Sequence, residues 1–318
     1  MLKKIQLDLI IPEEMNGMRL DQALSQLLAE DYSRTTIKEW IINNEVKVDS
    51  KETRAKEKVL GGEKIQISAN IKIYQQFEPE ALELNIIHED NEILIINKPS
   101  GMVVHPAPGN KNNTLLNALL HHSPSLKDMP RAGIVHRLDK NTSGLLVVAK
   151  TSNSLKSLTL QLKKRTVKRI YQAIVYGEII TGGTIDHPIA RHPTQRKKMA
   201  IIDNGKTAIT HYRIGEKYRA FTKLKVQLET GRTHQIRVHF AHIRHPLLGD
   251  QTYGHGLKLP KNASSVLIDK LKQFRRQALH ASELGLIHPE TKELMNFNSP
   301  LPTDMIELIE VLKSNSQK

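Results

Sequence analysis

Strand-like and helix-like patterns follow one another in this 318-residue chain without regular alternation. Apolar and polar residues alternate in RIYQAIVYG and KLKVQLETG, which predicts strands, and NEILIINK has the composition of a more buried strand. Helices are predicted in NSLKSLTLQLKKR, where Leu155, Leu158 and Leu162 recur at helical spacing, and from Thr303 onward. Because parallel α/β folds require strands and helices in strict alternation, this irregular order favours an α+β fold.

Residues 15 to 70 carry a different pattern, which predicts a small module of two helices followed by short strands. The second helix is expected to begin at Ser33, a favourable N-cap, and its Arg34 and Lys38 form a basic face. That face is either an ordinary solvated surface or a contact for RNA, and helical spacing alone does not decide between the two. The apolar stripes are Leu20, Ala23, Leu24, Leu27 and Leu28 in the first helix, and Ile37, Trp40 and Ile41 in the second.

The chain is strongly basic, with 47 Lys and Arg residues against 33 Asp and Glu residues, a net charge of +14 and a pI near 9.7. Such a balance favours a polyanion as partner, RNA or DNA. A membrane surface is the competing partner, but no apolar stretch approaches the roughly 18 residues that a spanning helix needs. Gln6 and Asp8 interrupt the apolar N-terminal segment, unlike a signal peptide, and cysteine is absent, which fits a reducing compartment. We therefore expect a cytoplasmic protein that does not bind membranes.

Several familiar motifs for cofactors are incomplete in this chain. NGKTAI resembles part of a phosphate-binding loop, but Ala200 stands where that loop needs its first glycine. We find neither a G-x-G-x-x-G dinucleotide motif nor a G-x-S-x-G nucleophile turn. His239, His242 and His245 recur every three residues, but the spacing favours phosphate contacts or helix packing over a metal site. We expect no metal and no nucleotide cofactor.

Two polar segments stand out against this background. In HRLDKNTSGLLVVAK, Asp139 lies between His136, Arg137 and Lys140, and a carboxylate kept ionised by such neighbours is either a salt-bridge partner or a nucleophile. In ETGRTHQIRVHFAH, a helix is predicted with Thr233 as its N-cap. Its first turn, which carries basic residues, is suited to hold a phosphate or a carboxylate. Those basic residues are Arg232, His234 and Arg237.

A third segment, KRIYQAIV, places Tyr171 on a strand, on the same face as Ala173 and Val175, where it serves either core packing or the site. The three segments, in this order, resemble the RluA-type family of RNA pseudouridine synthases. The resemblance implies a catalytic domain with a mixed, mainly antiparallel β-sheet flanked by helices. Asp139 would then act at C1′ of the target uridine, as nucleophile, or at C2′, as base. Isomerising uridine changes no oxidation state, so no cofactor is expected.

The N-terminal module resembles an S4 RNA-binding domain in Arg19-Leu20-Asp21, Ser33-Arg34 and Gly62-Glu63. Asp49-Ser50 stands where that family usually has Asn-Gly, so we expect a turn other than type I′ between its strands. The resemblances together imply three segments. They are an S4-like RNA-binding domain over residues 1 to 72, a linker over 73 to 84, and a catalytic domain over 85 to 318.

The resemblance to the synthases also implies roles for individual residues. Arg237 would position Asp139, Tyr171 would stack on the target base and assist proton removal at C5, and Arg137 would enter the base stack that the flipped uridine leaves. Residues expected to line the cleft or the flipping site are His136, Lys140, Thr142, Lys98, His105 and Thr233. Residues expected to contact RNA more widely are Arg19, Arg34, Lys38, Arg196, Lys197 and Arg232.

The resemblance also implies the substrate, which is large-subunit (23S) ribosomal RNA at the helix 69 stem-loop that bridges the two ribosomal subunits, either free or in an assembling 50S particle. Two other functions remain open at this point. A non-catalytic ribosome-assembly factor would bind RNA without needing an aspartate that faces a polyanion. An RNA N-glycosidase would use similar chemistry at C1′ but release free uracil. We expect a monomer.

Overall fold

The computed structural model describes residues 2–28, 32, 34–72, 77–107, 109–254 and 256–316. The chain forms two compact units, residues 1–76 and residues 77–318. Within the described residues, no helix is both long and apolar enough to span a bilayer.

The smaller unit pairs two helices with a four-stranded sheet, as the sequence pattern predicts for residues 15 to 70. The strand that opens the chain was not part of that prediction, and it pairs along its whole length with the last strand of the unit. The predicted stripes are buried, with Leu20, Ala23, Ile37 and Trp40 at most 3% exposed. The elements are β1 (Leu2–Ile10), α1 (Leu20–Leu27), α2 (Arg34–Ile42), β2 (Val46–Val48), β3 (Lys51–Glu52) and β4 (Lys64–Lys72), with sheet order β1-β4-β2-β3.

The turn between β2 and β3 corrects one sequence-based expectation. Asp49 and Ser50 both have positive φ angles, 45° and 66°, which is the signature of a type I′ turn. Asp49 tolerates this conformation because its backbone N–H donates to the carbonyl oxygen of Lys64 at 2.8 Å, while its Oδ1 accepts from the Lys64 N–H at 3.0 Å. The predicted N-cap of α2, Ser33, lies outside the described residues.

The larger unit is built on one extended sheet. Its elements are β5 (Ile86–Glu89), β6 (Ile93–Lys98), α3 (Leu115–His122), β7 (Ser143–Ala149), α4 (Ser152–Lys163), β8 (Lys168–Tyr176), β9 (Gly183–Asp186), β10 (Ile189–Arg191), β11 (Met199–Ile201), β12 (Ile209–Tyr218), β13 (Phe221–Leu228), α5 (Gln235–His242), α6 (Ser265–Gln273), β14 (Leu279–Ile287), β15 (Leu294–Asn298) and α7 (Thr303–Ser316). The strand order is β5-β6-β7-β14-β8-β13-β12-β9, with β15 against β14 and a separate hairpin of β10 and β11. Among the described strands, only β7 and β14 pair in parallel, which confirms a mixed, mainly antiparallel α+β fold.

Both faces of this sheet are covered around β6, β7 and β14, which explains why these strands lack a polar face. Alternate residues of β7 enter two different apolar clusters: Leu146 packs with α3 and α5, whereas Val147 packs with α4. A third cluster joins α6 and α7 to the far end of β8 and β13. Strands buried on both faces are continuous apolar runs, and LLVVA is one.

Two segments before β7 have little regular structure. Between Pro99 and α3, within the described residues, only isolated bridges occur, Val103 with Thr114 and Ala107 with Asn110. Residues 77–84 of the predicted linker lie against α3. There, the Asn117 side chain donates to the Glu78 carbonyl oxygen at 2.8 Å. Residues 73–76 lie outside the described residues.

Candidate active site

Asp139 lies in the loop that leads into β7, and the end of this loop is tightly fixed. The Thr142 N–H donates to the Asp139 carbonyl oxygen at 3.0 Å, and Gln277 Nε2 donates to Thr142 Oγ1 at 3.1 Å. Gly144, at φ +113°, follows directly, and a Cβ there would lie 2.3 Å from the Ala281 carbonyl oxygen. Only glycine permits the close parallel pairing of β7 with β14. The loop that carries Asp139 is therefore anchored at its C-terminal end by backbone contact.

Lys98 fixes the other side of the same loop. Its side chain is fully buried, and Nζ donates to the carbonyl oxygens of Pro99, Met102 and Lys140 at 2.7, 3.0 and 3.1 Å. Burial lowers the pKa of Lys98 to about 7, with the charge of Asp139 opposing this shift. We infer that Lys98, which the sequence placed in the cleft lining, lies beneath the loop and ties it together.

Arg237, on α5, holds one oxygen of Asp139. Its Nη1 lies 2.9 Å from Asp139 Oδ2, and its Nε and Nη2 donate to both oxygens of Asp250 at 2.7 and 2.9 Å. Burial alone would lower the pKa of Arg237, but hydrogen bonds and charges from the two carboxylates outweigh it and raise that pKa. The N-terminal turn of α5 thus holds anions as its composition suggested, and the anions are carboxylates of the protein itself.

Asp250 is a site residue that the sequence reasoning missed. Its side chain is 0% exposed, and its Oδ1 also accepts the backbone N–H groups of Thr252 and Tyr253 at 2.8 and 3.1 Å. Burial raises its pKa, but the hydrogen bonds and charge of Arg237 dominate and the net pKa is lowered. The only sequence signal was an aspartate at the end of the apolar run HPLLGD, just before a turn.

Tyr171 lies on β8 between Val226 of β13 and Ala281 of β14, and it is 6% exposed. Burial raises the pKa of its hydroxyl; the nearby charge of Arg169 opposes this and that of Asp139 adds to it. Arg169, two residues earlier on the same strand face, is also buried and donates from Nη2 to the Glu229 carbonyl oxygen at 3.0 Å. Tyr171 is therefore a protonated, rigidly framed aromatic ring at neutral pH.

The other oxygen of Asp139 faces His234, whose Nε2 lies 3.9 Å from Asp139 Oδ1. His234 is also the N-cap of α5, in a left-handed conformation with φ 56°, so the expectation that Thr233 caps this helix is wrong. The Gln235 side chain explains the shift: its Oε1 accepts from Thr230 Oγ1 and from the Arg232 N–H, and this bends the chain just before the helix. Thr233 itself is half-buried.

The remaining residues predicted near the site divide into internal and exposed ones. His136 Nε2 accepts the Val147 N–H at 3.1 Å, and burial, with the charge of Arg169, lowers its pKa to about 3, so it is a neutral structural ring. Burial and the charges of two nearby arginines lower the pKa of His105 to about 4. Arg137 and Lys140 flank Asp139 and are exposed.

Exposed basic residues extend beyond the cleft. Arg196 and Lys197 form the exposed tip of the hairpin between β10 and β11, and Arg232 is exposed while its Nε donates to the Thr207 carbonyl oxygen at 3.0 Å. In the smaller unit, Lys38 is exposed, and Arg34 Nη2 lies 3.8 Å from Asp21. Arg19 forms a two-point ion pair with the same Asp21.

The histidines His239, in α5, and His245, just after it, have separate partners. His239 is buried between Thr210 Oγ1, at 2.9 Å, and the His187 carbonyl oxygen, at 3.0 Å, whereas His245 Nδ1 lies 2.8 Å from the Tyr176 carbonyl oxygen. Among the described residues, no group of three or more potential ligands could hold a metal ion. His239 and His245 therefore serve packing and backbone contacts in this region.

Comparisons with known proteins place this arrangement in a family context. Residues 92 to 242 match the family model described as RNA pseudouridylate synthase. The chain is 55% identical over 302 residues to Ribosomal large subunit pseudouridine synthase D of Pasteurella multocida strain Pm70, covering 95% of this chain and 93% of that protein. The protein of the same name from Escherichia coli strain K12 is 51% identical over 319 residues, covering 100% of this chain and 98% of its own length. A solved structure of human RNA Pseudouridylate Synthase Domain Containing 4 superposes with a TM-score of 0.57 at 26% identity, covering 72% of this chain and 93% of that one.

Proposed function

This chain belongs to the RluA-type family of RNA pseudouridine synthases, and we propose that it isomerises uridine to pseudouridine in large-subunit (23S) ribosomal RNA. The observation that carries the proposal is the clamped carboxylate of Asp139. Arg237 holds one oxygen at 2.9 Å, and the side chain keeps 14% of its surface exposed. Structural ion pairs need no open oxygen, whereas an attack on a bound sugar does. The names of the curated relatives support ribosomal RNA as the substrate.

The reaction breaks the N1–C1′ bond, turns the released uracil and joins its C5 to C1′. C5 loses its proton and N1 gains one, so the overall change is an isomerisation. Breaking the glycosidic bond leaves positive charge on the sugar, and a fixed carboxylate stabilises that charge as it does in glycosidases. Asp139 fills this role, as nucleophile at C1′ or as base at C2′. Because no water is consumed and no electrons are transferred, the residues of this chain suffice.

Arg237 and Asp250 serve the reaction by orienting Asp139. The guanidinium group of Arg237 is planar. Two of its three nitrogens donate to Asp250, and this fixes the direction in which the third donates to Asp139. A preformed clamp removes the need to reorganise the site as charge develops, which is a major source of catalytic power.

Tyr171 is assigned to stacking against the uracil. Its raised pKa keeps the phenol protonated at neutral pH, so the ring is available as a flat surface and the hydroxyl is a poor base. Stacking of a base on an aromatic ring contributes about 1–3 kcal/mol. This holds the detached uracil in the site while it turns, and proton removal from C5 then falls to another group or to water.

Base flipping and RNA binding fall to the exposed basic residues. C1′ is inaccessible in a stacked helix, so the uridine must leave the stack. We assign Arg137 to fill the gap, and its exposure two residues before Asp139 supports this role. Phosphate contacts are proposed for Arg196, Lys197 and Arg232, and for Arg19, Arg34 and Lys38 of the S4-like unit. Such contacts position the RNA without reading its sequence.

The proposed target is the helix 69 stem-loop, in free RNA or in an assembling 50S particle, and the enzyme is proposed to act in the cytoplasm as a monomer without metal or nucleotide cofactor. The test uses unmodified 23S RNA and 50S particles, treated with the protein and mapped chemically for pseudouridine. New pseudouridine in helix 69 is expected. Pseudouridine elsewhere would refute the target, no pseudouridine in either substrate would favour a binding protein, and release of free uracil would indicate an N-glycosidase.

A further inference from the structure

The two oxygens of the catalytic carboxylate have different surroundings. Oδ2 of Asp139 is held by Arg237 at 2.9 Å, whereas Oδ1 faces Nε2 of His234 across 3.9 Å. That separation is too long for a direct hydrogen bond, since N–H···O bonds lie at about 2.7–3.2 Å. It leaves room for one bridging oxygen about 2.8 Å from each atom. Such an atom must donate to the carboxylate and accept from the imidazole, which are the properties of a hydroxyl group.

The proton of His234 is fixed on the nitrogen that faces Asp139. Tyr253 Oη lies 2.7 Å from His234 Nδ1 and accepts the Met199 N–H at 2.8 Å. A backbone N–H can only donate, so within the described part of the chain the acceptor for the Tyr253 hydroxyl proton is Nδ1. Burial lowers the pKa of His234, and the neutral ring then carries its single proton on Nε2.

The position of His234 is also enforced by its backbone. It sits in the left-handed region, at φ 56°, and begins the helix that presents Arg237 three residues later. Non-glycine residues adopt this conformation uncommonly, with histidine among those that do so most often, and backbone strain of this kind concentrates at functional sites. The same helix turn therefore aims two donors at Asp139, one on each side of the carboxylate.

We propose that His234 binds the 2′-hydroxyl of the flipped uridine, donating from Nε2 to O2′ while the hydroxyl donates to Oδ1 of Asp139. This inference rests on the proposed function and adds a residue that distinguishes RNA from DNA at the target nucleotide. O2′ and C1′ are both bonded to C2′, so seating O2′ at this bridge brings C1′ next to Oδ1. Tyr253 acts through His234 and is a positioning residue.

The test compares two stem-loop RNAs that differ only in the sugar at the modified position, uridine or 2′-deoxyuridine. Conversion is followed under single-turnover conditions with excess full-length protein, and nucleosides are separated by chromatography. The affinity for each RNA is measured in parallel, so that a very slow deoxy reaction still gives a result. A third RNA, with the deoxy sugar at the neighbouring nucleotide, is the control.

The wild-type protein is expected to prefer the ribose RNA, and His234→Phe is expected to reduce that preference about 3- to 10-fold by slowing or weakening only the ribose RNA. Tyr253→Phe, which keeps the imidazole but frees Nδ1, should reduce it about 2- to 3-fold and carries the test if the first variant does not fold. An equal effect of His234→Phe on both RNAs, or no preference in the wild type, overturns the inference. A wild type that binds the ribose RNA and converts none of it refutes the proposed function itself.

Discussion

Replacing Asp250 with asparagine probes the support of the Asp139 carboxylate, for which we propose the catalytic role. Asparagine keeps the volume of the side chain but removes its charge and one of the two acceptors that fix Arg237. Breaking a buried ion pair from one side costs about 3–5 kcal/mol. Because Asp139 still pairs with the guanidinium, we expect the lower end, about 3 kcal/mol, which corresponds to a fall in Tm of roughly 6–12 °C for a domain of this size.

The same substitution is expected to lower kcat about 100-fold, because a displacement of about 1 Å in a positioning group costs this much. We propose that RNA affinity comes mainly from phosphate contacts elsewhere, so we expect KM to change less than about threefold. The matched control is Glu216→Gln, which removes an exposed ion pair with Lys313 that contributes at most about 1 kcal/mol and keeps an amide oxygen to accept the Tyr218 hydroxyl. If the kcat of D250N, measured well below its Tm, lies within threefold of wild type, the claim that Asp250 positions Asp139 through Arg237 is refuted.

Three further predictions concern the loop and the RNA surface. Gly144→Ala places a methyl group 2.3 Å from the Ala281 carbonyl oxygen and should lower the free energy of unfolding by more than about 4 kcal/mol. The control is Gly101→Ala, at a positive φ but in open space, which should lower it by only about 1 kcal/mol. Urea unfolding measures both values. Burial holds the folded-state pKa of Lys98 at about 7, below its unfolded value of about 10.4, so through this group stability rises as pH rises from about 7 to about 10 and is lost as pH falls back to 7. The neutral amine of Lys98 has only two N–H groups for three carbonyl oxygens, so it fixes the Asp139 loop less firmly than the ammonium does. We therefore expect kcat to fall as pH rises through 7. Lys98→Met should abolish the pH dependence of kcat and that of stability, which rate and unfolding measurements across pH check. Replacing both Arg196 and Lys197, at the tip of the β10–β11 hairpin, with alanine should weaken RNA binding. It should also reduce the slope of the logarithm of the binding constant against the logarithm of salt concentration by about 0.7 per lost phosphate contact, which a salt titration measures.

Much of the fold could be predicted from the sequence because the spacing of apolar residues within a short segment indicates which face of a helix or strand is buried. Helices such as α4 and α7, and strands such as β8, follow from the spacing of apolar residues within one element. The α+β class followed from their irregular order. The loop with Asp139 was found for the same reason, since its polar residues stand in one short segment before an apolar run.

The sequence could not predict contacts that join distant segments. Asp250 follows Asp139 by more than one hundred residues, and only the packing of α5 brings both carboxylates to Arg237. The N-cap at Thr233 was wrong because a side chain inside the helix, Gln235, bonds the preceding turn instead. The family resemblance placed Lys98 in the cleft lining, and nothing in the sequence indicated that its ammonium group would donate to three carbonyl oxygens in the interior, since lysine is rarely fully buried.

The central claim is that the carboxylate of Asp139 acts on the glycosidic bond of a uridine. The most direct measurement uses 23S RNA transcribed with tritium at C5 of uridine, incubated with the wild-type protein and with Asp139→Asn at equal RNA occupancy. Forming the C5–C1′ bond releases the tritium to water, so release by the wild type and a loss of at least about 1,000-fold in the variant are expected. Release by Asp139→Asn at a rate near that of the wild type would contradict the account.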